Sequence, residues 1–150
     1  MRLSEHFTLE ELIRSSTANS HGISNDPNPE QIENLRWHCR FVLEPIREIA
    51  GKPVIITSGF RSDELNRIIA DSSSVSQHRC KEYDAATDFM IPGMDLENVF
   101  HLVVNNPDRI AYDQVILESH CAHVSSRRNR QIPLIRKRLA NGGVTYQPYA

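Results

Sequence analysis

The sequence predicts an α+β fold, with a small, mainly antiparallel sheet and flanking helices. The strongest helical pattern, Glu30 to Ala50, comes early, and short β-branched or apolar runs are scattered through the later part. Strands and helices do not alternate in the regular βαβ order that a parallel sheet requires. A chain of 150 residues has the length of one domain, so we expect a single domain over residues 1–150.

The N-terminal part is predicted to contain one short helix and one loop. Thr8 followed three residues later by Glu11 forms a capping box, which is typical of a helix start. Residues 15–29 are rich in Ser, Asn, Gly and Pro, so they are predicted to be a loop.

The segment Glu30 to Ala50 is predicted to be a long amphipathic helix. Its apolar residues recur mostly at three- and four-residue steps, which makes one apolar face. Pro45 is expected to kink or split this helix, because proline removes a backbone donor. Gly51 is expected to end it.

Short apolar runs predict the strands. The β-branched run Pro53 to Thr57 lies between turn signals, so we expect a buried strand there. Further strands are expected around 86–90, at 112–117 and 122–125, and at 144–146. Three more helices complete the prediction, with turns or loops between them. These helices are Asp63 to Ala70 with Ser62 as N-cap, Asp95 to Asn106, and a basic helix from Pro133 to Ala140; loops or turns are expected at 71–74, 91–93 and 141–143.

Composition and charge exclude several classes of protein. The net charge of −2 gives no general attraction to nucleic acid or membrane. The three cysteines include no CxxC pair, which argues against a disulfide framework. The N-terminus is polar and acidic and no apolar run approaches 18 residues, so we expect cytoplasmic synthesis, no signal peptide and no membrane insertion. An external substrate would then require delivery by other means.

A basic run occupies residues 127–138, where six of twelve residues are Arg or Lys and none is acidic. Such runs are usually solvated helix faces, and an anionic partner is the less frequent explanation. No aromatic residue interleaves, which lowers the case for nucleic acid. We therefore expect no nucleic-acid partner.

Candidate metal ligands are His78, Asp88 and His123, with Glu118 and His120 close to the last of them. Two imidazoles and one carboxylate are suitable ligands for a hydrolytic zinc site, and three protein ligands leave a fourth position open. Each residue alone has an ordinary structural explanation, such as a surface histidine or a paired carboxylate. The zinc hypothesis depends on the three together.

Two charged residues have a functional and a structural interpretation. Glu118 follows the apolar run Val115 to Leu117 and is either an exposed strand-end carboxylate or a general base. Arg61 follows a strand and a glycine turn. It is either a surface ion-pair partner or a bidentate hydrogen-bond donor to a carboxylate or a developing oxyanion.

An ordered set of motifs resembles the D-Ala-D-Ala carboxypeptidase family of zinc peptidases, which includes phage L-alanyl-D-glutamate endopeptidases. The motifs are Ser58 to Ser62 (SGFRS), Leu65-Asn66, Ser76 to His78 (SQH), Ala86 to Phe89 (ATDF) and His123 to Ser125 (HVS). The likeness covers nearly the whole chain and is greatest to small phage and prophage members.

The resemblance implies a fold of the hedgehog and D-Ala-D-Ala peptidase type and a reaction on the stem peptide of peptidoglycan. It implies Zn²⁺ bound by His78, Asp88 and His123. Arg61 would anchor substrate and stabilise charge, with Ser76 and Gln77 also contacting substrate and Glu118 acting as the catalytic carboxylate. The protein would act in the periplasm or cell wall, as an endolysin or as part of a phage virion beside other virion proteins.

The spacing of the first two ligands departs from the family pattern. His78 and Asp88 are ten apart where the family usually has seven, and the segment Arg79 to Tyr83 carries the extra residues. Asp84 occupies the usual glycine position and remains an alternative ligand. Cys80 is a competing ligand for a soft metal.

The segment before His123 departs from the pattern as well. The catalytic carboxylate often lies three residues before the last histidine, where this chain has His120, so Glu118 is assigned instead. Cys121 replaces the usual tryptophan. These departures motivate an alternative function, a non-catalytic virion or tail protein that retains the fold or binds cell wall. Carboxypeptidase and endopeptidase action are both compatible with the sequence.

Overall fold

The computed structural model describes residues 1–69, 74–129, 134–138 and 144–148. The helices in these ranges are α1 (Leu9–Ile13), α2 (Ser16–His21), α3 (Pro29–His38), α4 (Glu44–Ala50), α5 (Asp63–Ile68) and α6 (Leu96–Val104). The strands are β1 (Ile55–Ser58), β2 (Asp84–Met90), β3 (Gln114–Leu117), β4 (Ala122–Arg127), β5 (Leu134–Arg138) and β6 (Val144–Pro148).

The strands form one sheet in the order β1-β2-β4-β3-β5-β6. The first four strands pair antiparallel, β5 runs parallel to β3, and β6 returns antiparallel to β5. The predicted α+β class with a mainly antiparallel sheet is therefore confirmed. Within the part of the chain that the structure describes, no helix is both long and apolar enough to cross a membrane.

The long predicted helix is divided next to its proline, as expected. α3 ends at His38, residues Cys39–Leu43 form a π-helical turn, and α4 starts at Glu44. Pro45 has no N–H to donate to the carbonyl of Phe41. That carbonyl instead accepts a bond of 3.0 Å from the backbone N–H of Ala111. The π-helical turn thus joins two helical segments without leaving this carbonyl unsatisfied.

The hydrophobic core lies between the helices and one face of the sheet. Side chains on a strand alternate between faces, so Ala85, Thr87 and Phe89 of β2 point to the opposite side from Asp84 and Asp88. Phe89 belongs to the buried apolar cluster together with residues of α3, α4 and α6. Helices α3, α4 and α6 therefore cover one face at β2, and the other face is left for the polar side chains of the strands.

Local capping signals were predicted well, with one omission. Thr8 forms the capping box with Glu11, and Ser62 caps α5. The predicted loop over 15–29 is wrong in its first half, which contains α2. The Ser15 hydroxyl accepts from the N–H of Ala18 at the start of that helix, and Gly22, with φ of 63°, ends it.

One strand prediction and one helix prediction need correction. The strand expected to be buried at Pro53 to Thr57 is β1, an edge strand, and Ile55 is 45% exposed. The basic helix expected at Pro133 to Ala140 is also wrong, because residues 134–138 form β5. The open edge of β3 supplies backbone partners over Gln114–Leu117, and this pairing overrides local helix preference. The strand predicted at 144–146 is confirmed as β6, whereas residues 70–73 and 141–143 lie outside the described residues.

Gly59 is packed so closely that we expect alanine there to destabilise the protein. A Cβ at this position would collide with the carbonyl oxygen of Leu12 and lie 3.0 Å from its carbonyl carbon. That carbonyl oxygen also accepts a 2.7 Å bond from the N–H of Phe60, so it is not free to move. Gly59→Ala should lower the free energy of unfolding by about 1–3 kcal/mol, measured by urea denaturation. An unchanged unfolding midpoint would contradict this packing.

Candidate metal centre

Three elements bring His78, Asp88 and His123 together on the sheet face opposite α3, α4 and α6. His78 lies in a 3₁₀ turn over Gln77–Arg79, Asp88 lies on β2 and His123 on β4. Asp88 and His123 are direct cross-strand partners, so their side chains share a face. The three residues are 3%, 9% and 8% exposed, respectively, and therefore form a nearly buried polar group.

The donor atoms of the three residues converge. Asp88 Oδ1 lies 2.8 Å from His123 Nδ1 and 3.3 Å from His78 Nε2, and the two ring nitrogens are 3.2 Å apart. Zinc bonds of about 2.0–2.1 Å in a tetrahedron place neighbouring ligand atoms about 3.3 Å apart. Among the described residues, a search for three or more His, Cys, Asp or Glu side chains that could hold a metal ion finds these three residues. The spacing fits zinc.

The orientation of the His78 ring also fits a metal ligand. Its Nδ1 lies 2.8 Å from the carbonyl oxygen of Gly59. A carbonyl oxygen only accepts hydrogen bonds, so Nδ1 carries the proton and Nε2 presents its lone pair to the cluster. Metal-bound histidines commonly donate their second ring N–H to a carbonyl or carboxylate in this way.

The protonation states of the donors favour a cation. Burial lowers the pKa of His78, which keeps the ring neutral at pH 7. Burial alone would raise the pKa of Asp88, but the hydrogen bond from His123 Nδ1 and the adjacent His78 ring outweigh it. The pKa of Asp88 is therefore held well below its usual range. An ionised carboxylate and a neutral imidazole are the protonation states in which these groups bind a metal.

Arg61 lies beside this group and is held in place by β1. Its Nε and Nη2 donate to the Ser58 hydroxyl at 3.3 and 3.2 Å, and Nη2 lies 3.5 Å from Asp88 Oδ2. Its backbone N–H donates to the carbonyl of His78 at 2.8 Å. Burial lowers the pKa of Arg61, while the charges of Asp88 and Glu118 and the thiol of Cys121 oppose that shift. The guanidinium is therefore placed at the edge of the cluster.

Glu118 lies in the hairpin loop that leads into β4. Its backbone N–H donates to the carbonyl of Cys121 at 3.1 Å, and its carboxylate lies 3.5 Å from the Cys121 thiol. Because Ile116 pairs with His123, alternation places Glu118 on the same face as His123. His120 is exposed at the tip of the loop. Of the two residues considered for the catalytic carboxylate position, Glu118 therefore has its side chain on the face of the cluster.

Ser76 and Gln77 make contacts that stabilise the His78 turn. The Ser76 hydroxyl accepts from the N–H of His78 at 3.2 Å, and Gln77 donates its amide to Asp113 Oδ2 at 3.0 Å. Both residues are thus adjacent to the cluster, and their contact with substrate stays a prediction.

The two competing ligands considered above lie outside the cluster. Asp84 forms a two-pronged ion pair with Arg127, at 2.7 and 3.3 Å. Cys80 directs its thiol to the carbonyl of His78 at 3.7 Å, and burial raises the pKa of the thiol to about 12. The geometry favours Asp88 over Asp84 and leaves Cys80 protonated.

The extra residues between His78 and Asp88 form a tight loop that Asn34 stabilises. Cys80 and Glu82 both adopt left-handed backbone conformations, with φ of 53° and 55°. The Asn34 amide of α3 donates to the carbonyls of both residues, at 3.0 and 2.9 Å. The loop absorbs the longer spacing, so that β2 still aligns Asp88 with His123.

Sequence reasoning missed the roles of Asn34 and His38. Both are buried polar residues of α3, one helical turn apart. His38 contacts the side chains of Thr87 and Ser126 through its two ring nitrogens. The available signal was an i, i+4 polar pair beside a predicted apolar face, which alone does not specify partners in the sheet.

Comparison with known proteins identifies the family to which this chain belongs. No curated protein and no solved structure matches the chain. A family model described as peptidase M15 matches residues 5–125, which is well over half of the 150 residues. The match includes all three members of the buried cluster, Arg61 and Glu118. The chain therefore belongs to the peptidase M15 family of zinc metallopeptidases.

Proposed function

We propose that the protein is a zinc-dependent peptidase that cleaves stem-peptide bonds of peptidoglycan, as a phage endolysin or virion-associated lysin. The observation that carries this proposal is the convergence of His78, Asp88 and His123 within 4.8 Å in a peptidase M15 chain. Peptidoglycan lies outside the cytoplasm, so the protein reaches it after release or as part of a virion, beside other virion proteins.

His78 Nε2, Asp88 Oδ1 and His123 Nδ1 are the atoms that would hold the zinc ion. When bound, zinc supplies Lewis-acid polarisation of the scissile carbonyl and lowers the pKa of water at the site. Two imidazoles and one carboxylate would hold the cation, and three protein ligands are the number typical of a catalytic zinc site. The hydrogen bond from His78 Nδ1 to the Gly59 carbonyl would keep the ring correctly oriented.

Glu118 is the proposed general base. It accepts a proton from the attacking water and then donates it to the nitrogen of the leaving amine, so the peptide bond is cleaved with no net change in the enzyme. Its position at the start of the hairpin loop, on the face of His123, supports this role. The Cys121 thiol, 3.5 Å from the carboxylate, contributes to its orientation.

Arg61 is the proposed substrate anchor. Two of its donors contact the Ser58 hydroxyl, and a guanidinium has five N–H donors in all. The remaining donors suit a carboxylate of the stem peptide or the oxygen that becomes negative in the transition state. The contact with Asp88 keeps this charge beside the cluster of candidate ligands.

The test is digestion of purified peptidoglycan by the zinc-loaded protein. We expect about one zinc per chain by elemental mass spectrometry, and new amino groups released from the polymer. Chelation should abolish the release and added zinc should restore it. Mass spectrometry of the products separates free D-alanine, the carboxypeptidase product, from peptides cut inside the stem.

Two results would overturn the proposed function. One is a protein that binds no zinc at neutral pH. The other is a zinc-loaded protein that sediments with peptidoglycan but releases no new amino groups, which would favour the non-catalytic cell-wall-binding alternative.

A further inference from the structure

A histidine outside the candidate site joins two strands from the helical side of the sheet. His38 is fully buried at the end of α3. Its Nδ1 lies 2.7 Å from the Ser126 hydroxyl on β4, and its Nε2 lies 3.0 Å from the Thr87 hydroxyl on β2. Thr87 and Ser126 are also buried, at 0% and 1% exposed. One side chain thus connects three elements in an otherwise apolar layer.

The two hydroxyls that His38 contacts lie close along β2 and β4 to the candidate ligands Asp88 and His123. Thr87 directly precedes Asp88, and Ser126 lies three residues after His123. Thr87 pairs with Val124, one step from the Asp88–His123 pair, so the imidazole lies behind that pair. A strand alternates its side chains, so His38 contacts one face of the β2–β4 ladder while the ligands occupy the other.

The alignment of β2 with β4 decides whether the ligands meet. A slip of two residues would keep each side chain on its face but move Asp88 about 7 Å from His123, at about 3.4 Å per residue. A polar bridge between the two strands penalises such a slip, because each buried hydroxyl would lose its partner. Apolar packing is less specific, since it tolerates neighbouring side chains of similar size.

We infer that His38 is a positioning residue, which fixes β2 against β4 through Thr87 and Ser126 and so sets the geometry of the Asp88–His123 pair. The inference depends on the proposed zinc site and assigns His38 no contact with metal or substrate. Burial lowers the pKa of His38 to about 3, so the ring is neutral at pH 7. A neutral ring has one donor and one acceptor nitrogen, which hydroxyls on both sides can match.

The test compares three variants of the full chain. His38→Leu removes both polar contacts, and His38→Gln keeps one donor and one acceptor. Val42→Ala is the matched control, because Val42 is fully buried in the adjoining π-helical turn and packs in the apolar core. Three quantities are measured: zinc affinity by competition with a chromophoric chelator, the visible spectrum of the Co²⁺-substituted protein, and the urea midpoint of the metal-free protein.

A positioning role predicts a specific pattern among these quantities. His38→Leu should bind zinc about 10- to 100-fold more weakly and change the Co²⁺ spectrum, as for other residues that orient metal ligands. His38→Gln should recover part of the zinc affinity and part of the wild-type Co²⁺ spectrum. Val42→Ala should lower the urea midpoint while zinc affinity and spectrum stay at their wild-type values.

Other patterns would overturn the inference. If His38→Leu is less stable but has wild-type zinc affinity and spectrum, His38 is only structural. If His38→Leu does not fold, Thr87→Val removes one hydroxyl with little change of shape, and wild-type zinc affinity and spectrum in that variant would overturn the role. A wild-type protein without zinc affinity would refute the proposed function and the positioning role together. Failure of the positioning role alone looks different, because the wild type then binds zinc and the variants bind it equally well.

Discussion

Asp88→Asn is expected to abolish zinc binding and reduce peptidoglycan hydrolysis to background. Asparagine has nearly the shape of aspartate but no negative charge, so one of the three ligands loses most of its attraction for a cation. Mutating residues that hydrogen-bond to metal ligands typically lowers metal affinity about 10- to 100-fold. Losing a direct ligand should therefore lower it by more than about 100-fold. Zinc content and affinity are the primary measurements, and release of amino groups from peptidoglycan is the second.

Asp84→Asn is the matched control for this prediction. Asp84 and Asp88 lie on the same face of β2, and the side chain of each is 13% exposed and paired with an arginine. Both substitutions therefore weaken an ion pair whose carboxylate is largely buried, and both should lower stability. Only Asp88 lies in the cluster with His78 and His123. Asp84→Asn should accordingly bind zinc and cleave peptidoglycan as the wild type does.

The opposite result has a definite meaning. If Asp84→Asn loses zinc and Asp88→Asn keeps it, the ligand assignment is wrong and the loop over 79–83 rearranges to bring Asp84 to the metal. Equal loss in both variants, with equal loss of folded protein, would indicate that the affinity change reports stability alone.

Sequence reasoning was most reliable where the signal is local. The capping box at Thr8, the division of the long helix near Pro45 and the Ser62 cap depend on neighbouring residues, and all three occur in the structure. The helix prediction for the residues of β5 failed for the opposite reason. The residues Leu134 to Arg138 form a strand because β3 offers them a backbone edge, a long-range partner that no local pattern reveals.

The candidate cluster was predicted from motif residues, but its alignment was not determined by sequence. The extra residues after His78 left Asp84 and Asp88 both possible. The structure distinguishes them through strand register, since Asp88 lies opposite His123 and Asp84 lies opposite Arg127. His38 was missed because a single polar residue near an apolar helix face says nothing about which hydroxyls it meets across the core.

Glu118→Gln is expected to lower kcat by about 10²- to 10⁴-fold, the usual contribution of a general acid or base. Glutamine keeps the size of the side chain and its ability to accept a hydrogen bond from the Cys121 thiol. It cannot take a proton from water at neutral pH. Zinc content should remain that of the wild type, because Glu118 lies outside the cluster of ligands.

The chain offers a matched control for this substitution in the same loop. His120 occupies the position at which the resemblance usually places the catalytic carboxylate, but it is exposed in this structure. The Glu118 carboxylate lies next to Cys121 and influences the pKa of Arg61 beside the cluster. His120→Ala should therefore leave kcat and zinc content unchanged.

Kinetics of the zinc-loaded variants distinguish the possible roles of Glu118. A lower kcat with little change in KM would support proton transfer. A higher KM with unchanged kcat would instead assign Glu118 to substrate binding. If Glu118→Gln retains full activity while His120→Ala loses it, the general base is His120, and the hairpin loop must move on substrate binding to bring that exposed imidazole to the cluster.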